Sequence, residues 1–201
     1  RMYEIYHLNP GVTTPAKIST EQEYHGYPGP SPSGTHVVFN SRVIDEAGNT
    51  QMEIFTANIS TGETYRLTFN PSFDDSGRWS PDGSEIIFYS NRDGSMDLWK
   101  ISVNESGYPL EDAVKVLESD AREHCGRWSF DGNYIVYESD KTGVNHLWMI
   151  TSDGYNETQL TFDDNQNGYP AWHPSGDYIV YNKQTSTSSN LHILSLLDGE
   201  T

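Results

Sequence analysis

The chain has a single cysteine, Cys125, so it forms no intramolecular disulfide, and one thiol does not assign a redox compartment. Basic side chains are scarce: 12 Lys and Arg stand against 29 Asp and Glu, a formal net charge of -17. That balance argues against nucleic acid, whose binding rests on Lys and Arg neutralising phosphates. It argues equally against an anionic membrane surface. So much acid suits solubility in a salty or extracellular setting. No stretch approaches the ~18 consecutive apolar residues of a membrane-spanning helix. No signal peptide is visible, although the sequence opens at Arg1-Met2-Tyr3 inside what reads as a strand, as expected for a piece of a longer precursor. A helical 3.6-residue period persists nowhere. The one longer insertion, Glu105 to Glu118, has room for a short helical turn.

What the chain does have is aromatic residues and a repeat. Apolar residues make up only 34%, yet aromatics reach 12%, with 13 Tyr and 5 Trp, a mix that packs well on a pleated sheet. Arg78-Trp79-Ser80-Pro81-Asp82-Gly83 returns as Arg127-Trp128-Ser129-Phe130-Asp131-Gly132 and as Ala171-Trp172-His173-Pro174-Ser175-Gly176. A weaker copy, Gly29-Pro30-Ser31-Pro32-Ser33-Gly34, comes first. The turn glycines Gly34, Gly83, Gly132 and Gly176 are spaced by 49, 49 and 44 residues, a period that points to blades or a solenoid. Three of the four turns combine Pro, which presets φ, with Gly, which accepts positive φ; Phe130 takes the Pro position in the other. An apolar run follows it: Val37-Val38-Phe39, Ile86 to Tyr89, Tyr134 to Tyr137, or Tyr178 to Tyr181. A third run comes next, such as Met96 to Ile101 or His146 to Ile150, and then a fourth ending in Arg66-Leu67-Thr68-Phe69 or Gln159-Leu160-Thr161-Phe162. Four short antiparallel strands per repeat make the blade of an all-β propeller. The repeat tryptophans Trp79, Trp128 and Trp172 are expected to pack between blades.

The succession Trp-Ser-Pro-Asp-Gly, apolar strand, Asn91-Arg92-Asp93-Gly94, aromatic third strand, Asp153-Gly154 and Leu160-Thr161 resembles the TolB-like WD-type propeller repeat. That repeat occurs in the periplasmic TolB protein and in the propellers of tricorn-type and prolyl-oligopeptidase-type peptidases. The resemblance covers nearly the whole chain; Pro30 in place of Trp and His173 in place of Ser are the departures. It speaks to fold, since one fold hosts many functions. The whole of 1–201 reads as one propeller region. Residues 1–22 supply the last strands of one blade, and complete blades follow at 23–70, 71–119 and 120–163. An incomplete blade occupies 164–201. TolB-like propellers have roughly six to eight blades, so the reading is an arc of a larger ring. A closed four-bladed ring and two arcs joined into one ring are the alternatives, and an open arc would expose blade edges to self-association.

Recognisable catalytic sets are missing from the sequence. There is no Gly-x-Ser-x-Gly elbow, His-Glu-x-x-His motif, EF-hand loop or phosphate-cradling glycine loop. His124 lies beside Cys125, but neighbours on a regular strand face opposite ways, so Cys125 reads as structural. Alignment of the repeats places His25, Asp74, Asp75, Glu123, His124 and Asn167 where each innermost strand begins. Around one channel mouth these would make a ring of carboxylates and imidazoles for a ligand or partner, or for Ca²⁺ or another divalent metal. A solvated polar loop face is the simpler account of the same residues. Arg78 and Arg127 share one position in two blades, where they would pair with nearby acids or meet an acidic partner. Three sequons, at Asn58, Asn104 and Asn156, fall in outer turns. The function expected is a non-catalytic scaffold for a protein or peptide partner, or a glycan, in the periplasm or at the cell surface. The alternative is the propeller part of an enzyme: a peptidase gate, or a metal-dependent lyase or hydrolase.

Overall fold

The computed structural model describes residues 4–8, 11, 13–18 and 25–197. Strands β1 (Tyr6–His7) and β2 (Ala16–Lys17) form a two-stranded sheet. The first blade is β3 (His25–Pro30), β4 (His36–Ile44), β5 (Thr50–Asn58) and β6 (Thr64–Arg66). The second is β7 (Asp74–Trp79), β8 (Glu85–Ser90), β9 (Asp97–Ser102) and β10 (Val114–Lys115). The third is β11 (Glu123–Trp128), β12 (Tyr134–Ser139), β13 (His146–Thr151) and β14 (Thr158–Gln159). The fourth has three described strands, β15 (Gln166–Trp172), β16 (Tyr178–Gln184) and β17 (Ser189–Ser195). Within every sheet the strands pair antiparallel in chain order.

The turn chemistry closes each β-hairpin as its residues dictate. Gly83 sits at φ 77° and donates its N–H to Ser80 O at 3.0 Å. Ser80 Oγ in turn accepts the Glu85 N–H at 2.9 Å. In the fourth blade His173 stands where Ser does elsewhere, and its Nδ1 accepts the Ser175 N–H two residues on, at 3.2 Å, where the Ser oxygens accept the N–H five residues on.

Each of the four apolar clusters is an interface between blades. Val38, Ile54 and Leu67 of the first blade meet Ile86, Phe88, Trp99 and Ile101 of the second. Ile87 and Leu98 of the second meet Ile135, Tyr137 and Ile150 of the third. Val136 and Leu147 of the third meet Ile179 and Tyr181 of the fourth. Ile5 and Ile18, flanking the β1–β2 pair, meet Val37 and Phe39 of the first blade. The two-residue period explains this: the second strand sends Ile86 and Phe88 backward and Ile87 forward, so both faces are apolar. Trp79, Trp128 and Trp172 pack against the first, second and third of these clusters as partly buried side chains.

The expected open arc is borne out, and one expectation, the helical turn, changes. The ring is not closed: among the described residues neither β1 nor β2 pairs with β17, and the sheets form an open arc. No helical turn occupies 105–118; a bridge between Val103 and Pro109, and then β10, run there. No helix of any kind is present among the described residues. The expected blade boundary at 22/23 and the terminal Thr201 lie outside the described residues.

Candidate functional site

Successive first strands, β3, β7, β11 and β15, lie next to one another along the inner side of the arc. Each carries a β-bulge. Register shifts between Gly26 and Gly29, Asp75 and Arg78, His124 and Arg127, and Gly168 and Ala171. At the bulges Tyr27, Ser76, Cys125 and Tyr169 adopt φ of 50°, 58°, 55° and 53°, a left-handed conformation rare for side chains of this size. The extra residue resets the alternation, so residues three apart across the bulge share a face.

This divides the six sequence-predicted residues into two layers. His25, Asp74, Glu123 and Asn167 turn backward and are buried against the preceding blade rather than open at a mouth. Asp74 accepts from Arg92 at 2.9 Å and Asn70 at 2.6 Å, and it faces Glu53 of the first blade. Glu123 faces Asp97 of the second blade, and Asn167 Nδ2 approaches His146 Nδ1 of the third at 3.4 Å. His25 lies within electrostatic reach of Glu4. The partners Glu53, Asp97 and His146 were not anticipated, although all three occupy one column, the start of the third run in each repeat. They form a polar layer between blades. Arg66 donates to Glu53 at 2.9 Å and Thr68 donates to its other oxygen, yet burial prevails and pushes the Glu53 carboxyl up to about 7. Lys115 pairs with Asp97 at 3.0 Å.

Asp75 and His124 instead turn forward, with Arg78 and Arg127 beyond the bulge. Around them the inner face gathers side chains from all four blades. Tyr27 lies within electrostatic reach of Tyr89 and of Tyr169, so the first and fourth blades look onto common space. Tyr27 and Tyr169 are 53% and 73% exposed, open to a ligand. Phe73 stacks on Tyr89 at 6.4 Å, and Tyr89 meets the His124 ring edge-on. Arg78 Nη1 donates to Tyr27 O at 3.0 Å and Gly77 O at 2.6 Å; Arg127 Nη1 donates to Gly126 O at 2.8 Å. Among the described residues neither guanidinium makes a direct ion pair with a carboxylate, although Asp75 lies within electrostatic reach of Arg78. Burial, then the like charge of Arg127, pushes Arg78 down to about 10, still cationic at neutral pH. Burial, then the Glu138 carboxylate, raises the Cys125 thiol, so it supplies no ready thiolate nucleophile.

The bulges were not anticipated either, though they leave a trace: Pro28 and Pro170 each follow the bulge residue inside an innermost strand. Proline lacks the N–H that a paired strand needs, so within sheets it marks edges and bulges.

An inner row of bulged strands along the arc, with inter-blade apolar cores, fits a TolB-like β-propeller fold. Comparison with known proteins agrees on that fold. A TolB from Acinetobacter baumannii superposes with TM-score 0.77 at 23% identity, over 96% of this chain and 46% of that one. A TolB-type protein from Agrobacterium tumefaciens gives 0.79 at 22%, over 97% and 71%. A puromycin-hydrolysing peptidase from Mycobacterium tuberculosis gives 0.72 at 13%, over 98% and 35%. An uncharacterised protein of Agrobacterium fabrum is 31% identical over 83 residues, 41% of this chain and 26% of that relative. No protein-family profile matches the chain. The chain therefore matches about a quarter of the length of that curated relative and under half of the Acinetobacter TolB. No helix of the described residues is long and apolar enough to cross a membrane.

Proposed function

We propose that the chain is a non-catalytic binding scaffold of the periplasm or cell surface, which takes an acidic segment of a protein or peptide partner along its inner face. The observation that carries this reading is the pair Arg78 and Arg127, side by side on neighbouring inner strands and, among the described residues, in no direct ion pair, with the Asp75 carboxylate in electrostatic reach of Arg78. A planar guanidinium with free donors matches a carboxylate bidentately. The exposed Tyr27 and Tyr169 flank the arginines and offer apolar area with a polar tip, the combination found in binding hot spots. The likeness to TolB supports the compartment. The strongly negative remainder of the surface would repel an acidic segment everywhere else, which fixes its register.

The test is a displayed random-peptide library panned against the chain. Recovered peptides should be rich in Asp and Glu or end in a free carboxylate. Arg78→Gln and Arg127→Gln should each weaken binding about tenfold or more, as loss of a charged hydrogen bond predicts. Recovery of basic or purely apolar peptides, or indifference to both substitutions, contradicts the reading. A second reading, the propeller part of an enzyme, draws on the likeness to the puromycin-hydrolysing peptidase. Peptide cleavage by the purified protein would favour it over the scaffold.

A further inference from the structure

The bulge of the third blade brings together two neighbours that a regular strand would separate. His124 and Cys125 would point to opposite faces of an even pleat. With Cys125 at φ 55° inside the bulge, its thiol instead swings to the imidazole's side. Glu138 is the cross-strand partner of His124. One ligand atom from each of the three, an imidazole nitrogen, the sulfur and a carboxylate oxygen, all lie within 4.8 Å of one another. His124 Nδ1 is 3.3 Å from Glu138 Oε2. The other oxygen, Oε1, accepts the Tyr169 backbone N–H at 2.6 Å, so the neighbouring blade fixes the carboxylate and leaves Oε2 toward the imidazole. Gly168 makes that seat: a Cβ there would stand 2.8 Å from the carboxylate. Glu138 is 3% exposed, whereas the His124 side chain is open enough to admit an ion from the inner face.

We propose that His124, Cys125 and Glu138 are a binding site for a zinc-class divalent cation, with a fourth coordination position open to the inner face of the arc. One nitrogen, one sulfur and one oxygen donor form the mixed set that borderline-soft ions take, whereas Ca²⁺ and Mg²⁺ take oxygen donors. A tetrahedral ion with bonds of about 2.0–2.3 Å sets its ligand atoms about 3.3–3.8 Å apart, so side-chain shifts of about 1 Å close the cluster on it. The backbone N–H on Glu138 and the aromatic edge of Tyr89 against His124 hold two of the ligands, as outer-shell groups do in metal centres. His25, Asp74, Glu123 and Asn167, turned into the blade interfaces, contribute nothing to this set. The site stands independently of the acidic-segment reading, because neither arginine is a ligand.

The experiment is titration of the metal-free 201-residue chain with Co²⁺ alone, followed by absorption. One equivalent should bind and give a thiolate-to-cobalt charge-transfer band, which Zn²⁺ then abolishes by displacement. Cys125→Ser should lose the band. His124→Gln and Glu138→Gln should each weaken Co²⁺ binding about 10- to 100-fold or more, the range that even outer-shell partners carry. Thermal melts of each variant confirm folding; if Glu138→Gln unfolds, His124→Gln carries the test. Absence of the band at stoichiometric Co²⁺, its persistence in Cys125→Ser, or unchanged affinity in the folded His124 variant overturns the site.

Discussion

Glu53 shows how a single residue can bring pH dependence into the interface between blades. Its side chain is buried, and Arg66, Thr68 and Asp74 face it. Burial lifts the folded carboxyl from 4.5 to about 7. Between those pH values the native state holds a proton that the unfolded state has released, so stability falls as pH rises through the window and levels off above it. At about 1.4 kcal/mol per unit, the full loss is up to about 3 kcal/mol. Glu53→Gln removes the titration. Urea unfolding at several pH values should show the variant gaining on the native protein from pH 4.5 to 7, and a difference constant with pH contradicts the assignment. Gly77 is a second case at this scale. A Cβ there would meet Val38 Cγ2 of the first blade at 2.7 Å, closer than real Cβ contacts come. Gly77→Ala should therefore destabilise by about 1–3 kcal/mol, read as a lower denaturation midpoint with unchanged slope.

The bulged first strand is the element on which the functional reading depends. The sequence carried the number of strands, their order and the turns, because the Ser-Pro-Asp-Gly chemistry and the two-residue apolar period are local signals. It also carried the column of polar residues at the start of each first strand. It did not carry their direction. A bulge shifts alternation by one, so Asp74 and Asp75, neighbours in one motif and both buried, end in different layers: one in the interface with the preceding blade, the other turned forward beside Ser76 and Tyr89. The same shift makes His124 and Cys125 neighbours in space, where even alternation reads them as opposed. Pro28 and Pro170 were the available clue, and the second and third blades lack it. The bulge account predicts an asymmetry between adjacent positions. Ser76 sits at φ 58°, where glycine is at ease, so Ser76→Gly should leave stability unchanged or raise it by up to about 1 kcal/mol, against the loss at Gly77. A comparable loss in both variants, measured by the same denaturation, would mean that the strand runs without a bulge.

At the scale of the whole molecule, stability lies in the interfaces between blades. Ile54 is fully buried between the first and second blades, so Ile54→Ala should cost about 2–5 kcal/mol, whereas Phe69→Ala, at a site 69% exposed, should cost under about 0.5 kcal/mol. Among the described residues a sheet face lies uncovered at β17, where Leu191 and Ile193 are 76% and 72% exposed. Light scattering should show a mass that rises with concentration and a double Leu191→Lys, Ile193→Lys variant that stays monomeric; a monomeric native chain at all concentrations contradicts association through that face. The central claim is that the inner side of the arc, with its bulged strands, is where a partner sits. Hydrogen–deuterium exchange with and without a recovered acidic peptide tests it directly. The account predicts added protection confined to 25–30, 74–79, 123–128 and 166–172. Protection on the outer strands instead, around 64–66, 114–115 and 158–159, would place binding on the rim and contradict it.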